Sequence, residues 1–229
     1  MGELPKKSDT RALIETLAVA SVSLIPFAGG PFSVIFQEAM GRAYSKRRDD
    51  WLEIIATSLE ALINRVDGLN LDNLAMNENF LNSLSAASLI ANRSHQQEKI
   101  TALRNAVLNS ALVDSLDVDK QSMFLQYIAD LTPSHMRLLS LFDNVKEYFR
   151  RENIVWVEVM SGGRSHLVEK AFPGWARDFY DQLTRQLRSY GLILIDSLHV
   201  TQSGSGLSDS VTSSFGKEFL QFISEPILD

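Results

Sequence analysis

Cysteine is absent from this chain of 229 residues. That absence excludes disulfides, thiolate nucleophiles and every cysteine-based zinc or iron–sulfur site, and it suits a reducing compartment. An excess of basic residues is lacking too. With 22 Lys and Arg against 28 Asp and Glu the formal net charge is −6, so no global field draws the chain to nucleic acid. Catalytic motifs are missing as well. His95, His135, His166 and His199 are scattered, with no two of them three or four residues apart. There is no HExxH, no paired-carboxylate metal motif, no GxxxxGK[ST] phosphate loop and no GxSxG elbow. No catalytic residue, metal or cofactor is therefore predicted, and the histidines read as surface or structural residues. The loop SGGRS (161–165) offers backbone amides to an anion, but a plain loop is the expectation.

Proline is sparse, at six residues, and two of the six stand close together in the most unusual stretch of the chain. Thr16 to Gln37, TLAVASVSLIPFAGGPFSVIFQ, has no formal charge and is interrupted by Pro26, Gly29, Gly30 and Pro31. A bilayer-spanning helix needs about 20 apolar residues, which this stretch supplies in length. Its centre does not suit one helix, because fixed φ, permissive φ and missing donors fall within six residues. Two halves of about ten residues instead predict a helical hairpin over 12–40, turning at Pro26, Gly29, Gly30 and Pro31. Small residues let the halves approach closely. Three fates stay open: permanent burial, release from burial into a membrane, or constitutive anchoring, with burial at rest expected. In the membrane fates Ile14, Leu17, Leu24, Phe27, Phe32, Ile35 and Phe36 carry the insertion. A cleaved signal peptide is not expected, since Glu15 fronts the apolar run and apolar character continues to Phe36.

Downstream the chain reads as helix after helix. A second helix begins near Pro31 or Phe32 and reaches about Val66, with Leu52, Ile55, Leu59, Leu62, Ile63 and Val66 on one stripe. Its middle carries Lys46, Arg47 and Arg48, followed at once by Asp49 and Asp50. Beside an apolar segment these cations suit anionic headgroups, while the bland alternative is a solvated turn with local ion pairs. Helices follow over 77–92, with Leu89 among its apolar residues, over 94–112, and over 117–131, with Met123 on the apolar face. Thr132 then caps a helix opened by Pro133. Composition of 45% hydrophobic and 22% charged residues and short links make a bundle the economical assembly.

After about residue 150 the pattern changes. IVWVEVM (154–160) reads as a short strand or a buried segment, WARDFYDQLTRQLRSYG as an amphipathic helix, LILIDSLHVT (192–201) as a strand, QSGSGLSDS as a flexible loop, VTSSF (211–215) as a second strand and GKEFLQFI as a last short helix. Helix, glycine, strand, loop, strand is the order of a winged helix, with 200–210 as its wing. Arg177, Arg185 and Arg188 on the helix are interleaved with Asp178 and Asp181, and the wing holds Asp209 but no cation, so nucleic acid is not an expected partner. The expected fold is mostly α: an N-terminal helical bundle with a hydrophobic hairpin over 1–150 and a winged-helix-like α+β domain over 151–229.

Four stretches carry a resemblance: ALRNAVLNSAL (102–112), DLTPSHMRLLSLF (130–142), LRSYGLI (187–193) and TSSFGKEFLQFI (212–223). Together they resemble the Abi-alpha family of bacterial abortive-infection-associated proteins, in which an "anLlasSm"-like helix precedes an "LsplDAklL"-like helix and the end carries "L..lGLi" and "T..G..F" segments. His135 and Met136 stand where that pattern often has Asp and Ala. The resemblance implies a bacterial helical protein of phage defence with no catalytic residue to carry over. The hairpin followed by a basic, amphipathic helix also looks like the front of membrane-acting cell-death effectors. The expected function is thus non-enzymatic anti-phage defence through membrane association, in the bacterial cytoplasm or at the inner membrane, with a protein partner or a homo-oligomer. The alternatives are a soluble interaction scaffold and a winged-helix transcriptional regulator.

Overall fold

Pro31 opens a single unbroken helix, α1 (Pro31–Ile63), as proline at the first helical position permits. The computed structural model describes residues 31–112, 117–156 and 161–227, with the side chains of 31–40 outside that description. Past α1 the chain turns through Gly68, whose φ of +82 only glycine adopts freely. By its contacts the chain forms two compact units, one running to Asp130 and taking in Ile223–Asp229, the other Leu131–Phe222.

The first unit is helical. α2 (Leu71–Met76), α3 (Glu78–Arg93), α4 (Gln97–Leu112) and α5 (Val118–Asp130) follow α1. Asn70 and Asn77 cap α2 and α3 by accepting the amides of Asn73 and Phe80 at 2.8 and 3.0 Å. α1 packs on α3 and α4, α3 packs on α4 and α5, and α4 packs on α5. The interior is filled by Trp51, Leu52, Ile55 and Leu59 from α1 and by Phe80, Leu84, Leu103, Phe124 and Ile128 from the other helices. Alanines on α3 and α4 (Ala87, Ala91, Ala102, Ala106), all buried, leave room for the larger rings opposite. Trp51 Nε1–H donates to Ser88 Oγ at 2.9 Å, and the Ser88 hydroxyl donates to the Leu84 carbonyl at 2.7 Å, so the buried indole amine has a partner. Two apolar residues expected on packed faces lie outside: Leu89 and Met123 are exposed. The buried stripe of α3 runs through Phe80, Leu84, Ala87 and Ala91, and Leu89 sits two residues, or about 200°, from Ala87.

The second unit holds α6 (Pro133–Asp143), α7 (Val145–Arg151), β1 (Ser161–Gly162), α8 (Ser165–Ala171), α9 (Arg177–Ser189), β2 (Gln202–Ser203), α10 (Gly204–Ser208) and α11 (Ser214–Ile223) as far as Phe222. The boundary that the sequence suggests near residue 150 lies inside this unit. Val145, Tyr148 and Phe149 of α7 are buried, and the Tyr148 ring meets Phe172 edge-on at 5.8 Å. Thr132 caps α6 as its Thr-Pro sequence predicts, and His135 occupies the position where a capping box has Glu or Gln. The Thr132 amide donates to His135 Nδ1 at 3.1 Å. That nitrogen is therefore unprotonated, and Nε2–H donates to Gln186 Oε1 of α9 at 2.9 Å.

The last two motif segments dock on each other. Gly191, at φ +71, ends α9. The Leu192 carbonyl then accepts the Ser213 amide at 3.0 Å, the Leu194 amide donates to the Val211 carbonyl at 2.8 Å, and Ser213 Oγ donates to the Gly191 carbonyl at 2.6 Å. Gly216 closes the joint: a Cβ there would lie 2.1 Å from the Leu192 oxygen.

The expected wing is a different structure. LILIDSLHVT forms no strand beyond a single bridge between Ile193 and Thr212, and residues 202–208 form β2 and α10. β2 pairs antiparallel with β1, Ser161 against Ser203 and Gly162 against Gln202. SGGRS supplies β1 and the start of α8, a helix not anticipated from sequence. Burial along 192–201 lacks the alternation of a strand, with the consecutive Leu192 and Ile193 and then Leu198 buried while Leu194 and Val200 are exposed.

Candidate functional site

The residues predicted for membrane insertion divide at Pro31. Ile14, Leu17, Leu24, Phe27 and the turn residues Pro26, Gly29 and Gly30 lie outside the described residues. Pro31, Phe32, Ile35 and Phe36 lie in the first two turns of α1, whose backbone is therefore continuous from the apolar segment into the basic one. No helix among the described residues is long and apolar enough to cross a membrane.

The basic collar follows on the same helix. Gly41 to Lys46, Asp49 and Asp50 are exposed, Arg47 and Arg48 are half-buried, and burial starts abruptly at Trp51. Consecutive residues on a helix are about 100° apart, so Lys46, Arg47 and Arg48 fan around α1 and do not share one face. Arg47 and Arg48 continue, one turn out, the stripe that packs through Trp51, Leu52 and Ile55. Arg47 lies 4.8 Å from the centre of the exposed Tyr44 ring, and Arg48 is held by Asp49 at 3.1 Å. An aromatic ring with a guanidinium over its face is amphipathic in the way an interfacial anchor requires. The Asp49 pair is exposed and weak, so it leaves Arg48 available to a stronger anion.

The other sequence candidates are engaged within the fold. Arg164, in SGGRS, points inward and is 2% exposed. It donates to the carbonyls of Gly206, Leu207 and Asp209 at 2.5, 3.1 and 3.0 Å, the oxygens at the end of α10. Burial pushes its guanidinium below its usual range while Asp209 opposes that shift. The Ser165 amide is taken by the Leu198 carbonyl at 3.1 Å, so the loop is a fold joint and not an open anion cradle. His199 Nε2 lies 2.9 and 3.1 Å from the two Asp181 oxygens, and His166 Nδ1 is 3.6 Å from Glu169. Arg177, Arg185 and Arg188, on the helix expected to read a groove, face Asp181, Gln182 and Asp196 at 3.8, 2.8 and 2.8 Å. Among the described residues no group of three or more His, Cys, Asp or Glu is placed to hold a metal ion.

Sequence reasoning missed one surface feature. FPGW (172–175) is a tight turn in which the Trp175 amide donates to the Phe172 carbonyl at 3.1 Å and Gly174 has φ +93, the pattern of a type II turn with proline second and glycine third. The Phe172 and Trp175 rings stack at 4.0 Å and 9°, and the exposed Phe179 meets Trp175 edge-on at 5.3 Å. The Pro-Gly pair signalled the turn; the stacking depended on ring spacing that only the folded turn sets. Neither family models, curated proteins nor solved structures include a match to this chain.

Proposed function

We propose that this is a non-enzymatic bacterial anti-phage defence protein that associates with or perturbs the inner membrane through its apolar hairpin over 12–40. The observation that carries the reading is the exposed stretch Gly41–Asp50 of α1, which joins the apolar segment to the packed bundle and bears the cations and ring of a headgroup collar. A stretch of helix with eight of its ten residues exposed and the other two half-buried, next to helices that bury their apolar faces among the described residues, suits a second surface to lie against. The four motif segments that carry the Abi-alpha resemblance hold joint residues of the fold, Asn105, His135, Gly191 and Gly216. Action requires a population shift: a hairpin buried at rest works only if some trigger favours its exposed state.

The test has two arms. In bacteria under phage challenge, the wild type should depolarise the membrane, and the Phe32→Asp, Ile35→Asp pair should not; a wild type that leaves the potential intact overturns the reading. With purified protein and vesicles containing anionic lipid, replacing Lys46, Arg47 and Arg48 by Gln should weaken binding. At about 1 kcal/mol per cation near an anionic surface the triple variant loses up to about a hundredfold.

A further inference from the structure

α4 offers Arg104, Asn105 and Asn109 to the segment that leaves α11. Asn105 Nδ2 donates to the Ile223 carbonyl and Asn109 Nδ2 to the Ser224 carbonyl, each at 2.9 Å. Arg104 pairs with the Glu225 carboxylate, and its Nε and Nη2 also donate to Asn105 Oδ1 at 3.0 and 2.7 Å. Arg104 thereby orients the Asn105 amide, its oxygen toward the guanidinium and its nitrogen toward the Ile223 carbonyl. Two side chains one helical turn apart thus read two consecutive backbone carbonyls, and the guanidinium reads the acidic side chain that follows.

The bonds from α4 to this segment are polar. Phe222 is buried, whereas Ser224 and Glu225 are exposed and Ile227 is 83% exposed. Full burial ends at Phe222, Ile223 and Pro226 are half-buried, and the polar contacts start at the Ile223 carbonyl. Hydrogen bonds exchanged with water and an exposed ion pair each contribute little net free energy, so the segment opens locally at far lower cost than the core. An opened strip leaves Asn105, 4% exposed, without its carbonyl partner, a state that a replacement backbone would relieve.

We infer that the Arg104, Asn105 and Asn109 strip is a docking site for an extended segment that carries an acidic side chain, and that residues 223–227 occupy it as a detachable latch. The chemistry is independent of the membrane reading. Because the chain lacks cysteine, a Thr101→Cys, Ile227→Cys variant takes spin labels at those two exposed sites alone, and their separation reports the latch. At low salt one short distance should dominate. Raising the salt, or adding Glu225→Ala, should increase the open population about two- to fivefold, the range of an exposed ion pair. A peptide of residues 222–227 added in trans should open it further, and the same peptide with Gln for Glu should do so less. Helical circular dichroism should stay unchanged throughout. A short distance that none of these treatments moves, opening that comes only with loss of helix, or no short distance at low salt would each overturn the inference.

Discussion

Two glycines of this chain answer the same substitution with opposite signs. Gly216 has the Leu192 backbone oxygen where its Cβ would stand, with Thr212 Cγ2 at 2.8 Å on another side. Backbone cannot give way as a flexible side chain does, so Gly216→Ala should cost about 3 kcal/mol. Gly41 sits inside α1, and a Cβ there would meet nothing within 4 Å, so Gly41→Ala should gain about 0.5–1 kcal/mol. Urea denaturation of the two variants checks both signs. Single residues also mark how far a sequence can be read. Thr132 and Pro133 announced a helix start because a cap is a local contact. His135 did not announce its part, since its second bond goes to Gln186, 51 positions away.

Elements were legible where a single periodicity ran unbroken. α1, α3, α4, α5, α9 and α11 fall close to their predicted spans, because amphipathic spacing and caps are written within each. The segments between α7 and α9 and between α9 and α11 were not legible, and Arg164 gives the reason. α10 is five residues long, too short to stand alone in water, and its last carbonyls depend on a guanidinium from 42 to 45 positions earlier. A helix built on such a long-range partner has no signal in its own sequence. Arg164→Met removes three bonds to carbonyls and at the same time relieves a buried charge of its desolvation, opposing effects. The bonds win, because the released oxygens stay partly buried, and the variant should lose about 2 kcal/mol of stability in chemical denaturation. Arg164→Lys should recover only part of it, since an ammonium lacks the planar fork that reaches three oxygens.

At the scale of the molecule both units bury phenols. Tyr127 in the first unit and Tyr148 and Tyr180 in the second are each held above the ordinary tyrosine range, chiefly by burial, with Glu152 adding to Tyr148 and Glu169 to Tyr180. The unfolded chain releases these protons near pH 10, before the folded protein does. Above about that pH the native state binds more protons than the unfolded one, so this contribution to stability is complete below about pH 10 and is lost as pH rises through the folded values. Lys99, pushed below its usual range by burial, acts in the opposite direction over the same range, but it is one group against three. Denaturant midpoints should therefore fall between about pH 9.5 and 11. Absorbance of phenolate should rise later in native than in unfolded protein; coincident titrations would contradict the burial of these rings.

Sequence by itself determined the helical class, the helix start at Thr132 and Pro133, the turn at Gly191, and the continuity of a charge-free segment with a basic helix. Each of these is a local property: propensity, capping and composition act over a few residues. Tertiary structure decided that the contacts group into one unit to Asp130 with the last residues and another over Leu131–Phe222, and that residues 202–208 form β2 and α10 where a wing was expected. It also placed the motif residues at joints, Asn105 against Ile223, His135 against Gln186 and Gly216 against Leu192. Those outcomes rest on bonds and close approaches between residues 24 to 118 positions apart, and such partners are chosen only when the chain has packed.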